Sequence, residues 1–156
     1  IMYSIEIKAI TTLTPELAIQ LIELSKQIPE LDRPLTPDTL TARLSGKTCL
    51  ILLAYVEGEL AGFKLGYEQE KGIFYSWLGG VATDFRRLGL AQSLLEYQEK
   101  WASLQGYNHI QVKTMNRFPA MLNLLIRNQY LITELNADPQ SLINHKLHLS
   151  KSIVAA

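Results

Sequence analysis

A single cysteine, Cys49, among 156 residues leaves no partner for an internal disulfide. It lies in an apolar strand pattern, and a reduced, cytoplasmic setting is the expectation. An excess of charge is lacking too: Lys plus Arg and Asp plus Glu are 15 each. Without a general basic field, neither nucleic acid nor an anionic membrane is an expected partner. The longest apolar runs, such as CLILLAYV, fall far short of the roughly 20 residues that cross a bilayer. No charged leader precedes an apolar segment and a small-residue cleavage site, so export is not expected. Ile1, ahead of Met2, carries no weight. The nucleotide loops GxxxxGK(S/T) and GxGxxG are both missing. His109, His145 and His148 sit in strand patterns with no carboxylate or cysteine at ligand spacing, so no metal is expected. Repeats, low-complexity tracts and linkers are absent as well. What remains, 47% hydrophobic and 19% charged, is a globular composition, read as one domain over residues 1–156.

Periodicity then orders the chain. Tyr3–Ile10 alternates like a half-buried strand. Thr14-Pro15 supplies a cap and a first helical residue, and Leu17, Leu21, Leu24 and Ile28 form a helical stripe. Thr36-Pro37 repeats the device for a short helix that Gly46 ends. Thr48–Val56, Leu60–Glu68 and Ile73–Ala82 read as an antiparallel meander, turned at Glu57-Gly58-Glu59 and Glu70-Lys71-Gly72. A third helix carries Ala91, Leu94, Leu95, Gln98 and Ala102 on one face and stops near Gly106. Asn108–Met115 is a strand reached by a parallel crossover. A last helix with Met121, Leu124 and Leu125 inside ends near Asn128, and Tyr130–Leu135 and Ile143–Leu149 close the chain as strands. The pair Gly79-Gly80 is costly within a ladder and marks a bulge or a close backbone approach.

The stretch VATDFRRLGLAQSLL, Val81–Leu95, joins the meander to the third helix. Arg86, Arg87, Gly89 and Ala91 put two cations and two residues of minimal bulk where a helix begins. A helix start offers unpaired N–H groups and the positive end of the macrodipole, so small residues there let a phosphate approach. By spacing alone, Gly89 also reads as an ordinary turn residue and the arginines as a solvated face.

Element order decides between them. The succession β-α-α-β-β-β-α-β-α-β-β, with RRLGLA between the fourth strand and third helix, resembles the GNAT superfamily of acyl-CoA-dependent N-acyltransferases. Arg86, Gly89 and Ala91 fit that family's signature of Arg or Gln, two residues, Gly, one residue, then Gly or Ala. Val81 matches its preceding valine, Phe85 stands at a usual aromatic, and KTMNRFPAML (Lys113–Leu122) is similar to a form seen in one branch. The resemblance implies a mixed, mostly antiparallel sheet of about seven strands with four helices, splayed near a bulge at Gly79-Gly80. It implies acetyl-CoA, with Arg87, Leu88, Gly89, Leu90, Ala91 and Gln92 cradling the pyrophosphate by main-chain N–H groups. Arg86 or Arg87 adds charge, Val81 is a rail for the pantetheine arm, and Asn116 either contacts that arm or caps the last helix.

The implied activity is transfer of an acetyl group to a primary amine of a small molecule or peptide. A lysine-like amine, with a pKa of about 10.4, must first lose a proton. The fourth strand offers Tyr75, Ser76 and Trp77 but no carboxylate, so Glu68 and Glu70 are the nearest candidate bases. The Val81 N–H is the candidate oxyanion donor. The family's usual acid, a last-helix tyrosine four residues before a Gly-Phe pair, falls on Leu125, and Tyr130 is one substitute. That loss keeps a second reading open, an acyl-CoA-binding module without turnover. A homodimer through the amphipathic closing strands is the expectation by analogy.

Overall fold

Threonine followed by proline opens each of the first two helices in the computed structural model, which describes residues 3–154. Thr14 Oγ1 accepts from the Leu17 N–H at 3.2 Å, and Pro15, with no N–H to satisfy, begins α1 (Pro15–Ser25). Thr36 caps Thr39 in the same way at 3.1 Å ahead of α2 (Pro37–Leu44). Leu17, Leu21 and Leu24 are buried as their spacing predicts, but α1 stops at Ser25 and leaves Ile28 in the loop. Pro29 explains the early stop, because it disfavours helical backbone at the residue before it. The Gln27 and Ile28 N–H groups bond only three residues back, to the Leu24 and Ser25 carbonyls. Ile28 is buried nonetheless.

The strands are β1 (Ile5–Ile10), β2 (Cys49–Val56), β3 (Glu59–Glu70), β4 (Ile73–Val81), β5 (His109–Met115), β6 (Leu131–Asn136) and β7 (Lys146–Ser152). Two further helices, α3 (Leu90–Leu104) and α4 (Pro119–Arg127), follow β4 and β5. The fold is the mixed α/β arrangement that the element order implies, an open, mostly antiparallel sheet in the order β1-β2-β3-β4-β5-β7-β6 with four α-helices. Ile1 and Met2, and the last two residues of the expected 1–156 domain, lie outside the described residues.

The chain divides into two compact units, Ile1–Tyr67 with Leu78–Gln98, and Glu68–Trp77 with Glu99–Ala156. In the first, β1 and β2 are antiparallel, and so are β2 and β3. Leu21, Leu40, Leu50 and Phe63 are among its fully buried side chains. Of the face expected on α3, Leu94, Leu95 and Gln98 are buried, whereas Ala91 is exposed and Leu90 takes its place inside.

In the second unit β4 runs parallel to β5, from Ile73 opposite His109 to Ser76 opposite Val112. Strand β7 lies antiparallel to both β5 and β6. Phe74, Trp101 and Tyr107 form an aromatic cluster, with Phe74 to Trp101 at 5.4 Å edge to face. Tyr130 is buried, its hydroxyl donating to Glu99 at 2.8 Å, and Lys151 bonds the other Glu99 oxygen at 2.9 Å. The last strand differs from the expected Ile143–Leu149. Leu142–Asn144 instead forms a 3₁₀ turn in which Leu142 and Ile143 are exposed, and β7 runs on to Ser152 to match β5 from Met115 to His109. Apolar residues that look like a strand in sequence are surface residues of a turn here.

Candidate active site

The residues after β4 build a tight lead into α3. Ala82, buried, donates its N–H to the Ala61 carbonyl at 2.8 Å, and Thr83–Phe85 makes a single 3₁₀ turn. The backbone then passes through the left-handed region twice, at Arg87 (φ 66°) and Gly89 (φ 78°). A side chain is rarely comfortable there, and Gly89 is the residue type that adopts it without strain. The Ser93 N–H closes the first helical bond onto the Gly89 carbonyl at 3.0 Å. The N–H groups ahead of it belong to the open first turn that every α-helix leaves without i−4 partners. Gly89 and Ala91 are exposed, and no atom lies within 4 Å of where a Gly89 Cβ would stand. The space a phosphate would need is therefore open. Leu90 is buried, so only its main chain is available to a ligand.

The two arginines part company. Arg86 Nε donates to the Val81 carbonyl at 3.2 Å, and its guanidinium forms an ion pair with Glu30 in the loop after α1. That hydrogen bond, working against partial burial, holds the Glu30 carboxyl below its ordinary value. Arg86 thus braces the turn, while Arg87 is exposed. Gln92 donates through its side chain to Glu96 at 2.9 Å.

Gly79 and Gly80 meet the requirement for close approach. Neither uses left-handed backbone; what they provide is room. A Cβ at Gly79 would come within 3.1 Å of the Phe63 carbonyl oxygen, and one at Gly80 within 2.8 Å of Ile28 Cγ2. A Cβ on Gly62, in β3, would lie 3.0 Å from the Gly80 carbonyl oxygen. Three small residues therefore let β3, β4 and the loop residue Ile28 pack together beside Val81.

The candidate bases and acids fall in different places. Glu68 accepts a 2.8 Å bond from the Tyr107 hydroxyl, in the aromatic cluster with Phe74. Tyr75, the next residue along β4, belongs to the opposite face by strand alternation and is buried under the Lys113 ammonium, 5.6 Å from its ring. The structure does not bring Glu68 and Tyr75 together. Leu125 is a core residue. The Tyr130 hydroxyl is engaged by Glu99, and burial first, with that carboxylate second, pushes its pKa up, away from the range of a useful proton donor. Asn116 is exposed and donates to the Leu142 carbonyl at 3.0 Å. It does not cap the last helix, whose N-cap is Phe118.

Within the second unit a cavity of about 230 Å³ opens on the sheet face that carries Tyr75. Gln111, Lys113, Glu134 and His148 line it with Tyr75. Register explains the grouping. Tyr75 pairs with Gln111, Lys113 with His148, and His148 with Glu134, so these side chains share one face across four strands. Glu68 is not among the lining residues, whereas its neighbour Gln69 is. No spacing along the chain links Lys113, Glu134 and His148; only the insertion of β7 between β5 and β6 does.

A tight turn with two left-handed residues leads from the fourth strand of this mixed sheet into an exposed helix start, and comparison with known proteins gives the family. The sequence model described as the acetyltransferase (GNAT) family matches residues 18–125. The chain belongs to the GNAT acetyltransferase family. A search of curated proteins finds no match. Among solved structures, the ribosomal-protein-S18-alanine N-acetyltransferase from Escherichia coli superposes with a TM-score of 0.81 at 13% identity, over 97% of this chain and 96% of that one. Ard1 from Thermoplasma volcanium gives 0.77 at 13% identity, over 96% and 99%. A GNAT acetyltransferase from Elizabethkingia anophelis with acetyl-CoA bound gives 0.68 at 18% identity, over 95% and 97%. At these identities the likeness speaks for the fold.

Proposed function

We propose that the protein transfers an acetyl group from acetyl-CoA to a primary amine of a small molecule or peptide, the amine attacking the thioester directly. The observation that carries this reading is the turn through Arg87 and Gly89 into α3, two left-handed residues followed by an exposed helix start. Successive N–H groups at such a bend make an anion seat. The N–H groups of Arg87, Leu88, Gly89, Leu90, Ala91 and Gln92 hold the pyrophosphate, and Arg87 supplies the side-chain charge while Arg86 keeps the turn in place. The Val81 main chain pairs with the pantetheine arm, and its N–H receives the negative charge that develops on the thioester oxygen. Residues 1–156 act as one acyltransferase domain, in a cytoplasmic setting consistent with the lone, buried Cys49.

Calorimetry with acetyl-CoA and with CoA tests the premise, and saturable binding to both is expected. Thiol release over an amine panel tests the reaction. The panel includes a peptide beginning with alanine, because the Escherichia coli neighbour is named for such an acceptor. Turnover abolished by Gly89→Trp, with the circular dichroism spectrum retained, is the expected result. The buried Leu125 at the family's acid position favours a second reading, a binding module; tight binding without turnover on the whole panel would select it. A homodimer is also proposed. Strand β6 is an outer strand of the sheet and exposes Leu131, Ile132 and Leu135, and a monomer mass in sizing chromatography with light scattering would overturn the pairing.

A further inference from the structure

The loop that follows α1 is joined to the turn after β4 at successive points, all within the first compact unit. The Gln27 carbonyl accepts from the Thr83 N–H at 3.3 Å and from the Thr83 hydroxyl at 3.4 Å. Ile28 packs against Gly80, where an added Cβ would meet its Cγ2 at 2.8 Å. Glu30 pairs with the Arg86 guanidinium. Glu30 and Arg86 lie 56 positions apart, so only the tertiary fold brings them together.

This last contact reaches the main chain of the site. Arg86 donates through Nε to the Val81 carbonyl and through Nη2 to Glu30, two donors of one rigid plane. The Ala82 N–H donates to the Ala61 carbonyl of β3 at 2.8 Å. The peptide unit between Val81 and Ala82 is thus held at its oxygen by Arg86 and at its N–H by β3. An unanchored arginine samples many rotamers, and Glu30 fixes the far end of this one. The bond from Arg86 back to Val81 also closes the chain around the 3₁₀ turn Thr83–Phe85, immediately before the left-handed Arg87.

We infer that Glu30 is a positioning residue for acetyl-CoA: acting through Arg86, it sets the Val81 main chain and the bend into α3 in place before the cofactor arrives. The inference rests on the acyltransferase reading given above, which puts the pantetheine arm on Val81 and the pyrophosphate on the bend. The hydrogen bond from Arg86 outweighs partial burial and keeps the Glu30 carboxyl below its ordinary value, so the group is ionised at neutral pH. The side chains are 38% exposed for Arg86 and 47% for Glu30, and such a pair contributes little to folding. Its effect falls instead on the local order of the turn. Without Glu30 that order has to be gained on binding, which lowers affinity.

Calorimetry with CoA, and the KM for acetyl-CoA with whichever panel amine is turned over, are measured for wild type, Glu30→Ala, Glu30→Gln, Arg86→Ala, Arg86→Lys and the variant carrying both alanines. Glu30→Ala is expected to weaken CoA binding roughly two- to tenfold, the range for ordering one side chain on binding. KM for acetyl-CoA should rise by a similar factor with kcat nearly unchanged, as for an interaction made equally in the ground and transition states. Glu30→Gln, whose amide oxygen still accepts from the guanidinium, should recover most of the affinity. Arg86→Lys keeps the charge but lacks the planar fork that serves both partners, and should be as weak as Arg86→Ala. Adding Glu30→Ala to Arg86→Ala should cost nothing more, because Glu30 acts through Arg86. Urea midpoints of both Glu30 variants should stay near wild type. Unchanged CoA affinity in Glu30→Ala overturns this inference alone, as does full additivity in the double variant. Tighter binding in both Glu30 variants also overturns it, since that is the outcome if the carboxylate merely repels the phosphates. No saturable binding of CoA or acetyl-CoA to wild type overturns the acyltransferase reading and this inference together.

Discussion

Replacing Gly80 with alanine should destabilise the protein through one identifiable contact. An added Cβ would stand 2.8 Å from Ile28 Cγ2, closer than carbon atoms tolerate, and 3.0 Å from Cδ1, at the tight limit of contact. Ile28 is only 2% exposed, so it has little space to retreat into. Overfilling a packed site costs about 1–3 kcal/mol. The smaller entropy of an unfolded chain with alanine offsets about 0.4–1 kcal/mol of that. A net loss of about 1–2 kcal/mol follows, readable as a lower urea midpoint. Two companion substitutions test the cause. Ile28→Val removes Cδ1 but keeps Cγ2, the closer atom, so its cost of roughly 0.5–1.5 kcal/mol should nearly add to that of Gly80→Ala. Ile28→Ala removes both atoms and leaves only Cβ, at 3.7 Å. Alone it should cost about 2–5 kcal/mol, but with Gly80→Ala the new methyl enters the vacated space and the pair should fall short of additivity by about 1 kcal/mol or more. A neutral Gly80→Ala, or the same coupling with valine as with alanine at position 28, would refute the packing argument.

Three further outcomes are expected. Gly89→Ala has free space but the wrong backbone sign and should cost roughly 1–2 kcal/mol in urea unfolding, whereas at the other left-handed position Arg87→Gly should be more stable than Arg87→Ala by about 1 kcal/mol; an Arg87→Ala protein as stable as Arg87→Gly would argue against the strain. The Tyr130 phenol has its pKa raised in the folded state, so its contribution is fully present below the unfolded value of about 10 and is lost as pH climbs above it. Wild-type stability should therefore fall above that pH more steeply than that of Tyr130→Phe, which at neutral pH should be weaker by about 1–3 kcal/mol for a bond to a charged acceptor. Cys49 is buried, and desolvation raises its thiol pKa, so modification by a disulfide reagent at neutral pH should follow the unfolding rate; fast labelling of the native protein would contradict the burial.

Leu125 in the core removes the usual last-helix hydroxyl, and Tyr130 does not replace it because its proton is held against Glu99. Glu68 has a structural place in this arrangement, tying the end of β3 to the Tyr107 hydroxyl and so to the aromatic cluster.

Local physics made much of this protein legible in its sequence. Threonine-proline pairs start α1 and α2 because capping and a missing N–H act within one turn, and Gly89 marks the left-handed bend into α3 because few other residues accept that backbone. Alternation and helical spacing recover the order of the seven strands and four α-helices of the described residues, though not every boundary, for the same reason, each being a property of neighbours along the chain. Pro29, also a local signal, ends α1 early against the apolar stripe that points on to Ile28. Tertiary structure decided the rest. Ile28 matters because it fills the space that Gly80 leaves, a contact no periodicity encodes. Strand β7 runs between β5 and β6, and that pairing alone sets His148 beside both Lys113 and Glu134. The anion-binding turn is contiguous and can be read from residues in a row, whereas the cavity is assembled by hydrogen-bonded register between strands far apart in sequence.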